Sequence, residues 1–293
     1  MRPVTRDDVP AVAALIAADE EAFTGRPSRV SPNDVHGWWQ RVDLANDTWL
    51  FEEEGRLVAV GSAEAQGSLG WSFAVVAPGA KGRGLGTRLA ELCEARVAGA
   101  ERLHTRALAA DVAAATLFER RGYREVRRFW EMSIELEGPP PPPSLPAGLT
   151  LETFREDDAR AFHAALDESF QDHWEHHPTP FEEWWELKQK ALDYDPTTWF
   201  LVRDGGEVAG VVRNDPDRHG GGQVGALGVR RPWRGKGLGR ALLLKTFGEF
   251  HRRGVGRVTL GVDATNPTGA TQLYESVGMQ IELEAVVFEK RLA

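Results

Sequence analysis

A single cysteine, Cys93, stands among 293 residues. That count excludes an internal disulfide and a cysteine zinc site, and the place of Cys93 on the apolar stripe of an expected helix makes it a core residue rather than a nucleophile. No apolar run approaches the ~20 residues of a membrane-spanning helix. The opening Met-Arg-Pro-Val-Thr-Arg-Asp-Asp lacks the apolar core of a signal peptide, so a cytoplasmic protein without a membrane partner is expected. Positive charge is also short. With 35 Lys and Arg against 44 Asp and Glu, the net charge is -9, which argues against nucleic acid as a partner and leaves room for a cationic substrate such as an amine.

What is present is ordinary for a globular chain, 42% hydrophobic and 27% charged, and long enough for two domains with a core each. The most informative stretch runs from Leu227 to Arg240, Leu-Gly-Val-Arg-Arg-Pro-Trp-Arg-Gly-Lys-Gly-Leu-Gly-Arg. Its first residues read as a strand, Pro232 ends strand pairing, and Leu238, Ala241, Leu242 and Leu244 take up helical spacing. Gly235, Gly237 and Gly239 let the backbone turn sharply and present N–H groups at a helix start, where the dipole favours an anion. This is a candidate pyrophosphate cradle.

A lone Gly-x-Gly-x-Gly is also compatible with a flexible loop. A second copy in the same register decides between them: Val75 to Arg88 reads Val-Val-Ala-Pro-Gly-Ala-Lys-Gly-Arg-Gly-Leu-Gly-Thr-Arg. Neither Gly-Lys is followed by Ser or Thr in P-loop order, and each loop lies too deep in its repeat for a Rossmann fingerprint.

Further pairs share an offset near 150 residues: Thr5-Arg6-Asp7-Asp8 with Arg155-Glu156-Asp157-Asp158, Trp38-Trp39 with Trp184-Trp185, and Trp49 with Trp199. The chain is a duplicated domain. Gly138, Pro139 to Pro143, Ser144, Leu145 and Pro146 form a stiff spacer. The expected organisation is therefore a domain over 1–137, a proline-rich linker over 138–148 and a second domain over 149–293. Each half reads as a strand, two helices, three strands, the loop-capped helix, a strand, a helix and a final strand pair, an α+β class. Asp157 and Asp7 or Asp8 read as helix-capping residues, and the tryptophan pairs as core, with a substrate-lining role as the alternative.

With these elements and loops, each half resembles the GCN5-related N-acetyltransferase (GNAT) family, and the whole resembles its tandem two-domain members. The family's cofactor motif stands here as Arg234-Gly235-Lys236-Gly237-Leu238-Gly239, followed by Arg240, and as Lys81-Gly82-Arg83-Gly84-Leu85-Gly86. The resemblance implies acetyl-CoA as acyl donor, its pyrophosphate on these loops and its pantetheine along Leu227, Gly228 and Val229 and along Ala74, Val75 and Val76. It implies further that a backbone N–H near Leu227 polarises the thioester carbonyl. Asn266 and the run Leu273-Tyr274-Glu275 followed by Gly278-Met279 also match the family, with one extra residue between Asn266 and Tyr274. Tyr274 is the expected general acid for the departing thiolate. The first half has Asp111 and Phe118 at these places, and Phe118 has no hydroxyl, so catalysis is expected in the second half.

The strand entering the second loop holds Gln223, Val224, Gly225 and Ala226, without the glutamate that relatives often carry there. Asp215, Asp217 and His219, or His173, Glu175, His176 and His177 after the first helix, remain candidates for the base. His173, Glu175 and His176 are expected to line the acceptor pocket, with solvated surface as the alternative; no supporting motif favours a metal. The expected activity is direct acetyl transfer to a primary amine of a small molecule in a ternary complex. The alternatives are a peptide N-terminus as acceptor, or a non-catalytic acyl-CoA-binding module. A monomer whose two domains pair within the chain is expected.

Overall fold

The computed structural model describes residues 1–40, 42–192, 194–266 and 268–292. In chain order the elements are α1 (Val9–Thr24), α2 (Pro32–Trp38), α3 (Leu44–Asp47), β1 (Thr48–Glu53), β2 (Arg56–Gln66), β3 (Leu69–Val76), α4 (Leu85–Arg96), β4 (Arg102–Leu108), α5 (Val112–Arg120), β5 (Arg124–Glu135), β6 (Leu149–Thr153), α6 (Ala159–Phe170), α7 (Phe181–Gln189), β7 (Phe200–Asp204), β8 (Glu207–Arg218), β9 (Gly221–Val229), α8 (Leu238–Arg252), β10 (Arg257–Asp263), α9 (Ala270–Ser276) and β11 (Gln280–Arg291). The duplicated α+β order read from the sequence is present, except that the first half opens on an isolated bridge between Arg2 and Leu50 in place of the expected strand, and β8 runs to Arg218.

One difference concerns the ends of the halves. The expected final strand pair is a single twelve-residue strand in each half, β5 and β11, because neither stretch contains a Gly, Pro, Asn or Asp to turn the chain back. Two compact units are formed. One comprises Met1–Trp130, Asp263–Thr265 and Leu283–Ala293, and the other Glu131–Val262 and Asn266–Glu282.

In the first unit the strand order is β1-β2-β3-β4-β11. β3 and β4 are parallel, and β11 lies antiparallel on β4 from Ala285 opposite Leu108 to Arg291 opposite Arg102. Val286 and Phe288 thereby enter the core formed by Ala63, Cys93, Leu103, Phe118 and Tyr123, so Cys93 is a core residue. In the second unit the order is β6-β7-β8-β9-β10 and then the end of β5 from Glu131, and Leu136 N donates to Gly256 O at 2.7 Å.

The second unit's core holds Phe162, Trp184, Trp199, Leu201 and Val211, each such apolar side chain contributing about 1.5–3 kcal/mol by burial. Trp39 and Trp184 are core residues, whereas Trp38 is 43% exposed. At the two helix starts Thr5 N donates to Asp8 Oδ2 at 2.8 Å and Arg155 N to Asp158 Oδ2 at 3.2 Å. Asp158, rather than the expected Asp157, therefore closes the second turn. The spacer prolines Pro140 to Pro143 lie along Leu244, Gly248 and Arg252 of α8.

Candidate active site

The second glycine loop is a tight turn into a long helix. Gly235 and Gly237 have φ of 74° and 83°, in the left-handed region that favours glycine. Gly237 caps α8 without any side-chain capping bond, and the first of the helix's hydrogen bonds to it runs from Ala241 N to Gly237 O at 3.0 Å. The N–H groups of Leu238, Gly239 and Arg240 thus lack helical acceptors, the arrangement that binds a phosphate. A Cβ on Gly235 or Gly237 would meet nothing within 4 Å. Arg234 steadies the loop by donating to Val229 O at 3.1 Å and Ser169 O at 3.3 Å. Lys236 lies within this turn, and Arg240 reaches Ser276 O at 2.8 Å.

β9 leads into this loop between unlike neighbours. On one side it pairs with β8 as far as Val229 opposite Gly210. On the other, its parallel register with β10 takes in Gly222 and Gln223 and ends there among the described residues. Leu227, Gly228 and Val229 therefore lie where the sheet has opened and backbone groups can receive an extended ligand. The β8–β9 register also slips: Arg213 faces Ala226 while Asn214 faces Val224, leaving Gly225 as the extra residue of a β-bulge.

α9 closes the site from the C-terminal side. A Cβ on Gly239 would lie 2.8 Å from Leu273 Cδ2, 3.8 Å from Leu227 Cδ2 and 3.9 Å from Val229 Cγ2. The bare glycine thus brings α9 against both the start of α8 and the open end of β9. Tyr274 is the next residue of α9; it is buried, and burial pushes its hydroxyl pKa up to about 12. Asn266 accepts from Thr268 N at 2.8 Å, shaping the turn before α9; Pro267, part of the matching motif, lies outside the described residues.

The first loop repeats the backbone and changes the chemistry. Gly82 and Gly84 have φ of 77° and 83°, and Gly84 caps α4 ahead of Leu85 and Gly86. β3 likewise leaves β4 after Ser72 opposite Thr105, so Ala74, Val75 and Val76 lie beyond the registered parallel pairs. β2 and β3, however, pair without a bulge from Ala59 opposite Val76 to Gln66 opposite Leu69. Lys81 lies 2.7 Å from Asp19 and 2.9 Å from Asp111, with its ammonium 4.0 Å from the Phe23 ring centre. Arg83 is turned to Glu53 at 2.9 Å. Phe118 packs in the core, 5.4 Å from Tyr123 and 5.3 Å from Phe288 between ring centres.

The histidine-rich segment is not helical. Glu175 has φ 51°. His173 packs 4.2 Å from the Phe170 ring centre, His176 Nε2 lies 3.1 Å from Asp167 and His177 lies 3.7 Å from Glu175. Among the other base candidates, His219 Nδ1 is 3.8 Å from Glu131 and Asp215 is bonded to Arg213. Sequence reasoning passed over Arg213, the bulge at Gly225 and Asp19. A glycine inside an apolar strand is the one local signal that marks the bulge.

Two family patterns match the chain: the Acetyltransferase (GNAT) family over residues 159–279 and an Acetyltransferase (GNAT) domain over residues 45–125. A mycothiol acetyltransferase of Acidothermus cellulolyticus is 34% identical over 260 residues, covering 83% of this chain and 78% of the relative. One from Propionibacterium freudenreichii is 30% identical over 288 residues, covering 95% and 87%. A crystal structure of a GCN5-related N-acetyltransferase from Sphaerobacter thermophilus superposes with a TM-score of 0.85 at 34% identity, covering 99% of this chain and 95% of that one. A tandem GNAT protein from the clavulanic acid biosynthesis pathway, with a TM-score of 0.75 at 18% identity and coverage of 100% and 98%, shares the fold.

Proposed function

Because the chain belongs to the GNAT acetyltransferase family, as two tandem domains of an acetyl-transferring enzyme, we propose that its second unit transfers acetyl from acetyl-CoA to a primary amine of a small molecule. The observation that carries this reading is the convergence at Gly239, where the open end of β9, the start of α8 and the Tyr274-bearing helix α9 meet.

Acetyl-CoA fits the chain's own groups and supplies an acetyl activated as a thioester. The N–H groups of Leu238, Gly239 and Arg240 are suited to its pyrophosphate, with Arg234 and Lys236 adding positive charge nearby. Leu227, Gly228 and Val229 offer backbone groups to its pantetheine. The role of polarising the thioester carbonyl is assigned to a backbone N–H at Leu227, a donor that side-chain motion does not displace. Tyr274, kept protonated by burial, is suited to give a proton to the leaving thiolate. No group in this scheme forms a covalent bond to the acetyl carbon, in keeping with direct transfer between bound reactants.

The first unit lacks the tyrosine and the bulge, and its loop cation is engaged by two carboxylates; we read it as non-catalytic. Two relatives are named mycothiol acetyltransferases, which makes the cysteinyl precursor of mycothiol the first acceptor to try. Gln223 in place of an acidic residue supports trying other small amines beside it, and the first residue of a peptide is the second reading. The test is thiol release from acetyl-CoA across a panel of the cysteinyl pseudodisaccharide, kanamycin, spermidine and Ala-Ala. Turnover with one of the first three supports the proposal, turnover with the peptide alone supports the second reading, and none with any refutes both.

A further inference from the structure

The acceptor's amino group is an ammonium ion near neutral pH, and it must be held beside the open end of β9 in surroundings poorer in water than bulk. β9 itself carries no anion there. The residue directly across from Gln223 is Asp215 of β8.

Alternation along β8 fixes the direction of its side chains. Asn214 points to α8, donating to Thr246 Oγ1 at 3.0 Å, so Arg213 and Asp215 on either side of it project to the other face. That face is covered by α6: a Cβ on Gly228 would lie 2.8 Å from Ser169 Cβ. Arg213 Nη1 donates to Asp215 Oδ1, and the side chains are 12% and 17% exposed.

The pair lies on the bulge. A Cβ on Gly225 would stand 2.3 Å from Arg213 Nη2 and 2.3 Å from Asp215 Oδ2. Only a residue without a side chain lets the guanidinium and carboxylate rest on the β9 backbone at this point, two residues before Leu227. The support beneath is rigid. Asn214 is buried and also donates to Thr198 O at 2.6 Å, while Trp199 Nε1 donates to Asn214 O at 2.9 Å.

We propose that Asp215 is the carboxylate that receives the ammonium group of the acceptor, and that Arg213 is a positioning residue that fixes Asp215 over Gly225. Asp215 holds the ammonium; the nitrogen then gives one proton to water before its lone pair attacks the acetyl carbon, and the departing thiolate takes its proton from Tyr274. The inference rests on the amine-acetyltransferase reading and adds the group that selects a cationic acceptor. The first unit has no such bulge, since its β2–β3 register is unbroken.

The experiment uses the full chain and whichever panel amine the wild type turns over fastest, with Asp215→Asn and Gly225→Ala. The expected result is a rise of roughly 10- to 100-fold in KM for the amine in both variants, the loss of one charge-assisted hydrogen bond, with KM for acetyl-CoA within about twofold of wild type. Asp215→Glu should recover part of the loss, which a merely structural role would not produce. Unchanged amine KM in Asp215→Asn overturns the proposal. So does weakened CoA binding in the same variant, because the pair then serves the cofactor strand. A wild type that releases no thiol with any amine refutes the underlying activity instead, and is seen before any variant is compared.

Discussion

The Lys81 ammonium donates to the Asp111 carboxylate at 2.9 Å, tying the first glycine loop to the start of α5. Asp19 of α1 takes the same ammonium at 2.7 Å. Burial opposes the charge on Lys81, and the two carboxylates outweigh it, so its pKa is raised. For Asp19 burial is the larger effect and raises its pKa despite Lys81. One cation between two carboxylates leaves net negative charge where a pyrophosphate would sit. CoA titration by calorimetry should therefore give one site per chain, and the double variant Asp19→Asn, Asp111→Asn should gain a second, weaker one. Two equivalent sites in the wild type would refute this.

Tyr274→Phe removes a single hydroxyl from α9. The expected outcome is a fall in kcat of about 10²- to 10⁴-fold, the usual worth of a general acid, with CoA affinity within about threefold. Thiol release under saturating substrates and calorimetry with CoA measure the two quantities separately.

The pH dependence follows from the same residue. Burial penalises the phenolate, so the folded pKa is raised from its ordinary value to about 12 and the hydroxyl stays protonated as pH rises through 10. The kcat profile should consequently show no loss that reports deprotonation of Tyr274 between about pH 8 and pH 10.5. A wild-type descending limb near pH 10 that disappears in Tyr274→Phe would contradict the assignment.

Gly237→Ala tests the cradle. With φ at 83° and no neighbour within 4 Å of the added methyl, the strain lies in the backbone and amounts to about 1–2 kcal/mol. CoA affinity should fall by roughly 10-fold, and thermal unfolding without CoA should move by only a few degrees.

Asn214→Ala tests the platform under the bulge. Its amide donates to Thr198 O and to Thr246 Oγ1 inside the core, and leaving these acceptors without it should cost about 1–3 kcal/mol. A denaturant melt is the direct measurement, with turnover falling more than CoA affinity if the bulge loosens.

Much of the candidate site was legible because its signals are local. Gly235, Gly237 and Gly239 announce a turn into a helix, and helical spacing after Leu238 says where the helix runs. Phe118 against Tyr274 is a difference visible by placing one repeat on the other. The Arg213–Asp215 pair was half legible: Asp215 stood among several carboxylates, and nothing in the chain order singled it out. The path of the segment from His173 to His177 was not legible, because Glu175 adopts φ 51° and the chain turns there.

The sequence by itself determined the duplication, the α+β order of elements, the two glycine loops and the half that holds the tyrosine. These follow from periodicity, from glycine's missing Cβ and from residue identity, all of which act within a few neighbouring residues. Only the tertiary structure decided that Lys81 is held by carboxylates 62 and 30 positions away, Asp19 and Asp111, that the β8–β9 register slips at Gly225, and that the final strand lies on β4. Each depends on which distant backbone or charge arrives alongside, and that is set by the joint burial of the whole sheet rather than by any one segment's preference.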